Sequence, residues 1–249
     1  MATTALPPQE PAPLSEFQRV INTFIAPSKT FTDLRRSASW WLPFLISAIV
    51  SVMFVYAVDQ KVGFRKVVEN QLEGQPKQAE RMEQLPPDQR EKSMQQQVKV
   101  TRIFSYGFTI FILLWSLIVA AILFATLKFG FSADFKFKTL FALVIFAGLP
   151  GVIKALLAMA SVMAGVSGDS FTFQNPLATN PGYFVDRMAH PVLAAFLTNF
   201  DVFMIWTLVL AAIGIPCISK IKSGTAYAVV FGWFAVMILL GVGVAAAFA

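Results

Sequence analysis

Ala147-Gly-Leu-Pro-Gly-Val-Ile-Lys-Ala-Leu-Leu-Ala-Met-Ala-Ser-Val-Met-Ala-Gly165 is a long apolar run with a patterned face. Ala147, Gly151, Lys154, Ala158, Ser161 and Gly165 recur at spacings of four and three, which places them on one side of a helix. Most of the rest of the run is Leu, Ile, Val and Met, with Ala155, Ala160 and Ala164 among them. In lipid, small side chains mark where helices approach closely, because close packing replaces the hydrophobic drive that water would supply. The stretch is therefore expected to be the central helix of a membrane bundle. Gly148, Pro150 and Gly151 predict a kink, since Pro150 has no N–H to give to the carbonyl of Phe146.

Working outward, the 249 residues are 56% apolar and only 14% charged, with a mean hydropathy of +0.64. That is the composition of an integral membrane protein. Apolar runs long enough to cross about 30 Å of hydrocarbon predict spans near residues 40–58, 103–127, 139–163, 192–215 and 226–248. The expected fold class is all-α, a polytopic helical bundle with five transmembrane helices. Residues 1–14, rich in proline, are expected to be a disordered tail. Residues 15–36 read as an amphipathic module at the membrane interface, and 37–249 as the membrane domain. The first span, without a cleavage pattern before it, is expected to act as an uncleaved signal anchor.

Within the N-terminal module, Ser15 and Gln18 form a capping box. Phe17, Ile21, Phe24 and Ile25 are expected to contact the membrane or the bundle ends, and Arg19, Lys29, Arg35 and Arg36 to attract anionic lipid. The loop at 59–102 carries helical patterns and should form a small outer cap. Phe171, Phe173, Tyr183 and Phe184 are expected to lie against the outer membrane face. Short Lys-bearing loops, with Lys128, Lys136 and Lys138 in one and Lys220 and Lys222 in the other, predict a cytoplasmic N-terminus and an outside C-terminus. The cytoplasmic membrane of a bacterium is the expected location.

Chemistry is sparse. The chain has one His and one Cys, no metal-ligand spacing, no phosphate loop and no nucleophile elbow, which predicts a non-enzymatic protein with no cofactor and no metal. The net charge of +6 sits beside the spans without a nucleic-acid motif, so no nucleic-acid partner is expected. Only Lys154 and Asp201 interrupt the spans with charge. Both fall in the outer half of the bilayer, roughly 8 and 14 Å below its surface at 1.5 Å per residue. They are expected to face each other between the third and fourth spans, and a pair that needs only complementarity should tolerate a charge swap. Their role stands open between a structural lock and a solute or ion pathway.

At Asn199-Phe-Asp201-Val-Phe203-Met-Ile-Trp206, continuing to Gly214, the chain resembles the Yip-one-domain family of five-span membrane proteins. Phe24-Ile-Ala-Pro27-Ser-Lys-Thr-Phe31, Trp40-Trp41-Leu-Pro43, Phe137-Lys-Thr-Leu140 with Leu149-Pro150, and Lys222-Ser-Gly-Thr-Ala226-Tyr follow that pattern in order. The resemblance implies a scaffold or adaptor of membrane organisation or traffic. The long charged outer loop is more like the prokaryotic branch, where a Rab-type partner is not implied. Protein partners and homo-oligomerisation are left open by the sequence.

Overall fold

The computed structural model describes residues 12–165, 171–186 and 189–248. The expected tail up to residue 11 and the loop charge at Arg187 lie outside them. Every regular element among the described residues is helical: α1 (Glu16–Ile25), α2 (Pro27–Asp33), α3 (Trp41–Lys61), α4 (Phe64–Glu73), α5 (Pro76–Glu83), α6 (Pro87–Ala125), α7 (Phe137–Ala147), α8 (Pro150–Met163), α9 (Pro191–Thr198), α10 (Val202–Ile218) and α11 (Ser223–Phe248), with short π and 3-10 turns at Thr126–Gly130 and Pro181–Phe184. Four spans meet the length and polarity demands of a bilayer: α3, α6 with the π-turn Thr126–Gly130 that extends it, α7 with α8, and α11. A fifth arises if α9 and α10, bent by 43° at their junction, count as one.

The centre of the bundle is α7 rather than the small-residue stretch after it. Eight of its eleven residues are buried, and Leu140, Leu143 and Phe146 join Phe31, Leu127, Leu210 and Ile215 in one apolar cluster. After Lys138 and Thr139 in its first turn, α7 is apolar on every side, as a helix enclosed by others must be. α8 instead packs along α3 on one side. Ala147 and Ala158 of the patterned face are buried, but Gly148 and Gly151 are exposed and Ser161 half-buried. A Cβ added at Gly151 would meet nothing within 4 Å. The break at Gly148-Leu149 also leaves no orphan at Phe146. Its carbonyl accepts from the N–H of Leu149 at 3.1 Å, a tighter turn that replaces the donor Pro150 lacks.

Close helix approach occurs on α10. A Cβ at Gly214 would stand 2.6 Å from Leu143 Cδ1 and 3.0 Å from Phe31 Cδ2, so glycine there lets α10 touch both α7 and α2. A small helical cap combines α4, α5 and the first turns of α6. Val68, Leu72 and Met82 form its small core, and Arg65 bridges to Glu69 on α4 and Glu91 on α6. The Arg65 guanidinium holds the Glu91 carboxyl below its usual range. Phe171 does not face the membrane surface as expected. It is buried with Val58 of α3, Val67 of α4 and Val162 of α8, edge-on against Phe54, because these three helices converge on it.

Candidate functional site

Asp201 is the N-cap of α10, in extended backbone, and not a residue inside a continuous span. The fourth span breaks there because Asn199 turns its amide back on α9, donating to the carbonyl of Ala195 at 2.7 Å, and Asp201 then starts a new helix. Its Oδ1 accepts from the N–H of Phe203 at 3.0 Å and of Met204 at 3.3 Å. These are donors that the first turn of any helix leaves without an internal partner. Its Oδ2 accepts from Lys154 Nζ at 2.8 Å and from Thr179 Oγ1. Both oxygens of a carboxylate only 5% exposed are thus occupied.

The arrangement ties three separate pieces of chain. Lys154 comes from α8, Thr179 from the loop before Pro181–Phe184, and Asp201 from the α9–α10 junction. Val202 donates its N–H to the carbonyl of Thr179 at 3.1 Å, which adds a backbone bond to the same knot. Beside it, a Cβ at Gly182 would fall 2.5 Å from the backbone N of Thr198, so the loop lies directly on α9. Thr179 and the capping role of Asp201 have no signature at the sequence level beyond Asp standing before an apolar run. The cap makes the two charged positions unequal: a lysine at 201 could accept nothing from Phe203 and Met204.

The N-terminal module forms the second charged cluster, and it corrects the expectation for Arg19. That guanidinium is 3% exposed and turns inward. Its Nε and Nη2 hold Asp33 Oδ2 at 2.8 and 2.7 Å, and Nη1 holds Glu16 at 3.1 Å. The carbonyl of Arg19 also accepts from Thr23 and Thr30 hydroxyls. α1 and α2 are clasped by these bonds, so Arg19 offers no charge to a membrane surface. Lys29, Arg35 and Arg36 stay exposed. Phe24 is likewise drawn in, packing edge-on against Trp206 at 5.7 Å, and Phe31 and Leu34 enter the main core. Phe17, Ile21 and Ile25 point outward, Ile25 being 74% exposed.

The residues of the 201–214 motif therefore have distinct places. Asp201 caps α10, Phe203 donates to that cap, Trp206 receives Phe24, and Gly214 admits Leu143 and Phe31. No group of three or more metal-ligating side chains occurs among the described residues. A family model described as the Yip1 domain matches residues 21–245. No match was found to a curated protein or to a solved structure.

Proposed function

The chain belongs to the Yip1 domain family, and from that premise we propose that it is a non-enzymatic, membrane-organising scaffold of the bacterial cytoplasmic membrane, with the N-terminus inside. The observation that carries this reading is that the two charges interrupting the spans are used on each other. Asp201 has both oxygens filled by Lys154, Thr179 and the start of α10. A carrier or channel needs polar groups that a solute can engage and release. A carboxylate that caps a helix cannot be released without loosening that helix. The Lys154–Asp201 pair is thus a structural lock between α8 and α10.

In this reading the N-terminal module is the working surface. Phe17, Ile21 and Ile25 rest in the headgroup region of the bilayer, Lys29, Arg35 and Arg36 favour anionic lipid, and partner proteins approach from the same side. The test is reconstitution at known copy number in proteoliposomes, with ion and small-solute release measured, alongside crosslinking of the protein at native level in its own membrane. The expected result is release no faster than from empty vesicles, and a reproducible crosslinked protein partner. Release above background that disappears in Lys154→Ala would replace the scaffold with the pathway.

A further inference from the structure

The end of the bundle opposite the Lys154–Asp201 lock carries a rim of cations that the scaffold reading does not use. α7 and α10 belong to successive spans and run in opposite directions, and they touch where Leu143 meets Gly214. Moving from that contact toward the same end of both helices, Lys138 lies five residues before Leu143 and Lys220 six residues after Gly214. At about 1.5 Å per helical residue, Lys138 lies roughly 7 Å below the contact and Ile218, where α10 ends just before Lys220, roughly 6 Å below it. Lys222 follows before α11 begins, and Leu34 of α2, Ala133, Ile218 and Ala226 at this end belong to the shared apolar cluster. Lys136, Lys138, Lys220 and Lys222 are exposed and make no ion pair among the described residues. Near them, Asp134 is the exposed acid, since Asp33 is consumed by Arg19.

Position identifies what these cations meet. The π-turn Thr126–Gly130 that ends the second span presents Phe129 at 81% exposure, and Phe131 follows at 48%. Lys128 folds back over the ring of Phe124, its Nζ 5.2 Å from the centroid. Bulky apolar groups this exposed, at the foot of a membrane span, belong in the headgroup layer. The lysines beside them therefore stand at the depth of lipid phosphates. We propose that Lys138, Lys220 and Lys222, with Lys136, form a binding site for the headgroup of an anionic phospholipid, in addition to the surface contact of the N-terminal module. It goes beyond the scaffold reading and does not depend on which side this end faces.

The experiment is native mass spectrometry of the full chain in dodecyl maltoside, titrated with phosphatidylglycerol or phosphatidylcholine of matched acyl chains. Wild type should retain phosphatidylglycerol preferentially, with the preference falling as ammonium acetate is raised. At roughly fivefold per lysine near a membrane surface, Lys138→Gln/Lys220→Gln/Lys222→Gln should weaken it roughly a hundredfold. The all-Arg triple variant should restore it, and Lys77→Gln/Arg81→Gln/Lys92→Gln in the outer cap should leave it unchanged, which separates a site from net charge. Thermal unfolding of each variant confirms that the fold is kept. An unchanged preference in the Gln triple variant overturns the site. So does an absent preference in wild type, which would point to an acidic protein partner, or full displacement by millimolar inorganic phosphate, which would mean a free-anion site. None of these readouts depends on solute release or on the crosslinked partner.

Discussion

Lys154→Ala removes the charge opposite a carboxylate that is 5% exposed. Breaking a buried ion pair from one side costs about 3–5 kcal/mol. The Lys154 side chain keeps 26% of its exposure, so the pair is partly solvated and the low end, about 3 kcal/mol, applies. Asp201→Ala loses the same pair and also the α10 cap, about 1 kcal/mol, and the Thr179 bond, about 1 kcal/mol. It should therefore be the more damaging single change, even though the stranded lysine can reach for water. Asp201→Asn isolates the charge, because an amide oxygen can still accept from Phe203 and Met204. Between Lys154→Ala and Asp201→Asn the coupling should be about 2 kcal/mol, measured by equilibrium unfolding in mixed dodecyl maltoside and SDS micelles. The charge swap, Lys154→Asp with Asp201→Lys, should not rescue, because it restores the pair and destroys the cap. Additive single effects, within about 0.5 kcal/mol, would refute the pairing. A swap as stable as wild type would refute the capping argument.

Gly214→Ala should destabilise the bundle by about 1–3 kcal/mol in the same unfolding assay, because its Cβ would overlap Leu143 and Phe31, while Gly232→Ala, with nothing within 4 Å, should be near neutral. Arg19→Ala leaves Asp33 buried without its partner and should free α1 and α2, seen as faster amide exchange across residues 16–33 with α8 unaffected; unchanged exchange there would contradict the clasp. Glu91 is held below its usual value by Arg65, so its contribution to docking the cap is present above the ordinary carboxylate value near 4.5 and is lost as pH falls through the lowered one. Proteolysis of the cap should therefore quicken only in that acid range, and Glu91→Gln should remove the pH dependence. In a Cys217→Ala background, Gln75→Cys and Thr179→Cys should react with an impermeant reagent outside intact cells and Ser132→Cys should not; labelling of Ser132→Cys would reverse the orientation.

The spans were legible because bilayer thickness imposes a length and a polarity that composition alone reveals, and no tertiary contact is needed to read them. The cap at Ser15, the break at Pro150 and the helical start at Pro87 follow equally from local backbone chemistry. Lys154 and Asp201 stood out for a related reason: an isolated charge in an apolar run is visible without knowing its partner. What the sequence could not give was direction. Arg19 and Arg35 look alike along the chain, yet one is folded inward by Asp33 and Glu16 while the other stays at the surface, and only the pairing of α1 with α2 decides between them. Glycines mislead in the same way. Gly151 sits in a regular small-residue pattern and faces open space, whereas Gly214 has Leu143 and Phe31 packed where its Cβ would stand, because close packing depends on which helix lies opposite. Asp201 needed the tertiary structure most: whether it interrupts a span or begins a helix depends on the 43° turn between α9 and α10, held by Thr179 and Lys154 from segments distant in the chain.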